Sequence, residues 1–116
     1  MSACALILFV ASVAFAATGT AVIQWTNTSS TFPLHLERAS SAAGPWTQIA
    51  DIPASTSTYT DNNLVIPGTV CYRLAYYNAG GNGPYSIVDA NSCKTFVSPP
   101  TMAPGGVTII INITNP

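Results

Sequence analysis

PGTVCYRLAYYNAGGNGPYSIVDANSCKTF, residues 67–96, reads as two strands folded back about a glycine-rich turn. Its centre, Gly80-Gly81-Asn82-Gly83-Pro84, is built from residues that accept positive φ or fix it near −65°. Upstream, Val70, Tyr72, Leu74 and Tyr76 alternate with Cys71, Arg73, Ala75 and Tyr77, a period-2 pattern rich in strand formers. Downstream come Tyr85-Ser86-Ile87-Val88 and, after Asp89-Ala90-Asn91, the segment Ser92 to Phe96. Cys71 and Cys93 are equidistant from Asn82, so an antiparallel hairpin sets them opposite each other, within reach of disulfide geometry. Closing a loop of this length stabilises a fold by roughly 3 kcal/mol in the chain-entropy model. The expectation is a Cys71–Cys93 disulfide, the alternative being two reduced, buried thiols.

The 116 residues make one domain with tails, able to bury a core with little to spare. Charge is the unusual quantity. Asp, Glu, Lys and Arg make up 6% of the chain, against a usual value of about 25%. The charged side chains are Glu37, Arg38, Asp51, Asp61, Arg73, Asp89 and Lys94. A surface this poor in charge needs another cover, either neighbouring subunits or glycans. With three basic residues and a net charge of −1, nucleic-acid binding has no electrostatic basis, and a polybasic membrane patch is missing too. The cysteine pair points to an oxidising, extracytoplasmic setting.

Ala3 to Ala17 (ACALILFVASVAFAA) is an unbroken apolar run. Ala14-Phe15-Ala16 has the form of a signal-peptide cleavage site, although no Lys or Arg precedes the run. As a spanning helix it falls short of a ~30 Å hydrocarbon core, so no stable membrane span is expected in the mature form. As a retained strand it would be buried on both sides, with Ile7, Phe9, Val13 and Phe15 on one face and Leu6, Leu8 and Val10 on the other. The expectation is a retained segment, with a signal peptide as the alternative.

From Thr20 the signals turn all-β. Ala21 to Trp25 reads as a strand, Asn27-Thr28-Ser29-Ser30 as a loop, and Phe32 to Arg38 as a strand with Phe32, Leu34 and Leu36 on one face. Gly44-Pro45 closes a turn-rich stretch. Trp46 to Ala50 reads as a short strand broken by Asp51-Ile52-Pro53, and Ser57 to Thr60 resumes it. Short strands at this spacing, with no helical period, imply an antiparallel β-sandwich.

The ordered set Val22-x-x-Trp25, Leu36-Glu37-Arg38-Ala39, Gly44-Pro45-Trp46-Thr47-Gln48-Ile49-Ala50, Ser57-x-Tyr59-Thr60-Asp61, Leu64-x-x-Pro67-Gly68-Thr69, Tyr72-Arg73-Leu74 and Asn78-Ala79-Gly80-Gly81 resembles a fibronectin type III domain. The resemblance covers Ala17 to Phe96 and implies a seven-stranded Ig-like sandwich with an extracellular binding or spacer task, but no chemistry. The family usually places a corner tyrosine two residues after Pro-Gly-Thr; here that position is Cys71, and the disulfide is expected to take over its locking role. A first strand should also precede the tryptophan strand. Between Ala17 and Thr20 there is no room for one.

The chain thus divides into an apolar segment (1–16), a sandwich (17–97), a Pro/Gly linker (98–106) and a terminal strand (107–116). In that last piece Val107, Ile109, Ile111 and Ile113 share one face and Thr108, Asn112 and Thr114 the other, with Ile110 the exception. Such a strand either returns to its own sandwich or fills an open edge on the next subunit. The second course, or donation of the apolar N-terminal run, makes a head-to-tail contact that propagates. The expectation is therefore a subunit of an extracellular, pilus-like filament whose partners are copies of itself. The competing expectation is a monomeric secreted adhesion or carbohydrate-binding module.

Two N-x-S/T sequons, at Asn27 and Asn112, are candidate glycosylation sites, so covalent glycans are possible. Catalysis, cofactors and metals have no motif to stand on. His35, beside Glu37, reads as an ordinary surface or core histidine, and Asp51, Asp61 and Asp89 as turn residues that cap backbone N–H groups. Tyr76, Tyr77, Tyr85 and Trp46 read as packing pairs before they read as a sugar-stacking platform. Cys4 is left as a buried thiol.

Overall fold

The computed structural model describes residues 18–26, 29–97 and 107–114. Eight strands run in order: β1 (Thr18–Trp25), β2 (Leu34–Ala39), β3 (Thr47–Ile52), β4 (Thr58–Val65), β5 (Gly68–Asn78), β6 (Gly81–Tyr85), β7 (Cys93–Phe96) and β8 (Val107–Ile113). They form two packed sheets. One is β4-β1-β8; the other is β3-β2-β5, with β6 and then β7 sharing the far edge of β5. The protein is an all-β sandwich, as the alternating patterns require.

Period-2 alternation decides most of what the strands bury, although β5 buries Val70, Cys71 and Tyr72 in succession. On β1, Ala21, Ile23 and Trp25 face the core while Thr18 and Gln24 are exposed. On β2, Leu34 and Leu36 point inward, and on β5 so do Tyr72 and Leu74. Phe96 at the end of β7 closes the core over Gly19 of β1, where a Cβ would lie 2.6 Å from the Phe96 ring. Only glycine lets that ring approach.

The hairpin forms with its tight turn at Ala79-Gly80, ahead of the expected centre at Asn82, and Asn78 pairs with Gly81. The cysteines still meet, because the surplus residues of the second arm go into a register shift and a loop. That shift falls between Ala75 and Tyr77. The loop is capped by Asp89, whose Oδ1 accepts from the N–H groups of Asn91 and Ser92. Cys71 and Cys93 are direct partners and form a disulfide.

Three strand boundaries differ from expectation. β2 begins at Leu34, which leaves Phe32 outside it and 42% exposed. β3 starts after Trp46 and runs through Asp51 and Ile52, because Ile52 pairs with Leu34 and fills a core position. β4 extends through Asp61 to Val65, so Asp61 is a strand residue and not a turn cap. β3 and β4 each run on because a partner strand holds the backbone beyond the limit that local propensity set, whereas Pro33 marks the late start of β2.

One pairing departs from a purely antiparallel sandwich. β8 lies parallel to β1 over seven consecutive pairs, from Gly19↔Val107 to Trp25↔Ile113. The terminal strand therefore sits in its own chain's sandwich, the returning course of the two that its pattern allowed. The linker 98–106, the apolar run with Ile7, Phe9, Val13 and Phe15, Cys4, and the sequon residue Asn27 lie outside the described residues.

Candidate functional site

β8 completes the core from beside β1. Ile111 is 0% and Ile113 6% exposed, and Ile109 packs against the cluster at half-burial. Full burial of one such side chain is worth about 1.5–3 kcal/mol. Thr108, Ile110 and Asn112 face outward, Ile110 with 53% of its surface exposed. Val107 is placed in the ladder by its backbone. At the far end the Thr114 carbonyl accepts from Ile87 N–H at 3.1 Å, which ties the strand to the loop between β6 and β7. Trp25, the last residue of β1, is buried with an indole N–H that meets no acceptor among the described residues.

Between the sheets a polar lock replaces the expected corner. Tyr72, next to the disulfide cysteine, is fully buried, and its hydroxyl donates to Asp61 Oδ2 at 2.8 Å. Arg38 Nη1 donates to the same oxygen at 2.8 Å. The carboxylate of β4 is thus held by a phenol from β5 and a guanidinium from β2, so the lock staples one sheet to the other. Burial pushes the Tyr72 phenol far above its ordinary pKa, and the hydrogen bond to Asp61 and that residue's charge push it further.

The outer face of the second sheet carries an aromatic and charged ladder. The Arg73 guanidinium lies between Trp46 and Tyr85, at 4.5 and 3.6 Å from their ring centroids. Its Nε and Nη2 each approach Glu37 Oε1 at 2.7 Å. The Tyr85 hydroxyl donates to Glu37 Oε2 at 3.2 Å and accepts from Asn82 Nδ2 at 3.3 Å. His35 stacks on Tyr77 with centroids 3.6 Å apart, its Nδ1 2.7 Å from Asn82 Oδ1 and its Nε2 3.2 Å from Asp51 Oδ1. These contacts tie β2, β3, β5 and β6 together across the face.

Of the tyrosines weighed as a sugar platform, Tyr76 packs against the core, while Tyr77 and Tyr85 stand on the outer face with Trp46. Each of these three rings already stacks on His35 or Arg73, the packing arrangement that the sequence favoured. At the hairpin tip a cleft of about 350 Å³ is lined by Phe32, Tyr76, Tyr77, Asn78 and the stretch from Gly80 to Gly83. The disulfide pair meets, and Ile109, Ile111 and Ile113 converge on one core. Asn112 is exposed, in register with Gln24, and is not among the residues that line that cleft.

Sequence reasoning missed the Asp61–Tyr72–Arg38 lock and the Glu37–Arg73 pair. Both join residues far apart in the chain, and only strand register brings them together. One signal was there to use: in a chain with so few charges, a charge at a strand position needs a partner.

No protein-family model, no curated protein and no solved structure matches this chain.

Proposed function

We propose that the chain is a structural subunit of an extracellular filament, built head to tail by exchange of β8 between sandwiches. One observation carries this reading: the last strand of the chain fills the core position beside β1, where a fibronectin type III-like domain would hold its first strand. A terminal strand in such a slot makes the same contacts whether it comes from its own chain or the next, and exchange of identical elements is a low-cost route to assembly. The nine residues 98–106, with prolines at 99, 100 and 104, are the linker through which β8 would reach the next sandwich. The disulfide agrees with an oxidising compartment, and among the described residues no helix is long and apolar enough to cross a membrane. In this reading the protein is no enzyme, needs no cofactor, and takes copies of itself as partners, with glycans carried at Asn112 or Asn27.

The test is a cross-link across the slot. Thr20 and Thr108 are register partners on the outward side of β1 and β8. In a Cys4→Ser background, Thr20→Cys/Thr108→Cys is oxidised after the material has assembled and run on a non-reducing gel. Exchange gives a covalent ladder that the single-cysteine controls lack. Monomer bands alone, from material that has visibly polymerised, would sink the exchange.

A second reading, a monomeric secreted adhesion or carbohydrate-binding module, is favoured by the aromatic cleft at the hairpin tip. Phe32 is exposed there, and glycines leave open approach to the rings. Saccharide binding that Phe32→Ala abolishes, from a chain that never polymerises, would establish it in place of the first.

A further inference from the structure

Sheet edges invite added strands, and folded proteins guard them with charge, proline, bulges or brevity. In this protein β3 carries Asp51, is followed by Pro53, and shifts register against β2 between Leu36 and Glu37. β4 holds Asn63 at φ 62, beside its own register shift against β1. β6 contains Pro84, and β7 is four residues long with Lys94 inside it. β8 has none of these. VTIIINI contains no charge, proline or glycine, and its pairing with β1 runs unbroken. Its far side meets, among the described residues, a single isolated bridge, Ile87 with Thr114. The outward row Thr108, Ile110 and Asn112 continues across β1 as Thr20, Val22 and Gln24 and onto β4 as Thr60 and Thr58, and none of these is charged.

We propose that this edge is a side-by-side contact between two copies of the chain. The β8 of one copy pairs antiparallel with the β8 of the other about a two-fold axis at Ile110. That register sets Ile110 opposite Ile110 and Thr108 opposite Asn112, and it keeps Ile109 and Ile111 on the core side. Two three-stranded sheets become one of six strands, and Ile110 loses its exposure. The alternation selects this occupant. An edge with one wet face suits a strand with one apolar side, whereas the run Ala3–Ala17 is apolar on both sides and would leave half of its surface in water. β8 presents the same edge whichever sandwich holds it, so the contact stands apart from the exchange proposed above.

The experiment is sedimentation equilibrium on the full chain, disulfide intact, from an oxidising host that adds no N-glycan, so that Asn112 is bare. Wild type is expected to show a concentration-dependent dimer. Ile110→Lys and Ile110→Glu each place like charges opposite one another and should weaken the dimer by about tenfold or more. Their unfolding midpoints should match wild type, because the side chain points away from the core. An equimolar mixture of the two should re-form the dimer, since a two-fold axis at this residue sets Lys against Glu. Thr60→Lys, at the far edge of the same face, should leave it intact. Each of these results would overturn the proposal: a wild type that stays monomeric up to on the order of 1 mM, charged variants that dimerise as wild type does, a mixture that does not recover, or an equal effect of Thr60→Lys. The Thr20→Cys/Thr108→Cys bridge in the Cys4→Ser background, oxidised in dilute monomer so that it closes within one chain and confines β8 to its own sandwich, separates the two proposals. A dimer that survives it stands by edge pairing, and a dimer lost to it belongs to exchange and refutes the edge.

Discussion

Asp61 and Tyr72 hold the two sheets together through one short hydrogen bond, and the phenol there resists ionisation. Below about pH 10 the folded and unfolded chains both keep this proton; above it the unfolded chain alone releases it. Stability should therefore fall as pH rises past 10, with Tyr72 contributing up to about 1.4 kcal/mol per pH unit. Urea titrations stepped from pH 7 to 11 measure this, and Tyr72→Phe should lose that share of the slope. At neutral pH the same variant should cost about 1–3 kcal/mol, because Asp61 loses a buried donor. Arg73 is the other residue on which much depends. It neutralises Glu37, which is 8% exposed, while lying between two rings. Arg73→Ala leaves that carboxylate without its cation and should cost about 3 kcal/mol in chemical denaturation, with a change in Trp46 fluorescence.

Among the strands, β1 is the middle one of its three-stranded sheet. It pairs with β4 on one side and β8 on the other, and it presents Gly19 to the Phe96 ring of the opposite sheet. Gly19→Ala forces that ring aside in a filled core and should cost about 1–3 kcal/mol. Thermal melts are the measurement, and a wild-type midpoint would show that Phe96 has room to move. The sequence made the hairpin legible because its two arms alternate and its turn is glycine-rich, both local properties. The turn position is not local in this sense, since a register shift at Ala75–Tyr77 and the loop capped by Asp89 share out the extra residues. β3 and β4 ran past their expected ends for the related reason that pairing with a neighbour outweighs propensity at strand tips.

For the whole molecule the question is how far the sandwich depends on β8. A chain ending at Gly106 leaves Ile23 and Trp25 uncovered beside an empty slot, and its unfolding should become shallow and start at lower temperature. Adding a synthetic peptide of residues 107–116 should restore a sharp transition, because the slot accepts the strand without a covalent link. Calorimetry of that mixture is the direct check. A truncated chain as stable as the parent would show that β8 decorates the fold and does not complete it. The placement of charge belongs to this scale as well. Glu37 pairs with Arg73 and Asp61 with Arg38, Asp51 lies beside His35, and the outward row of the β4-β1-β8 sheet is uncharged.

The amino-acid order alone settled the alternation of buried and exposed positions, the sheet class, and the pairing of Cys71 with Cys93, since each follows from periodicity and near-neighbour geometry. Tertiary structure decided the rest. Residues 107–113 carried a pattern that says which side is buried but not in whose core, and only the assembled sheets placed them parallel to β1. Asp61 looked like a turn residue until β5 brought Tyr72 to it, and Arg73 acquired its two rings only when β6 and the start of β3 were folded alongside. Periodicity is a property of one strand, whereas register belongs to two.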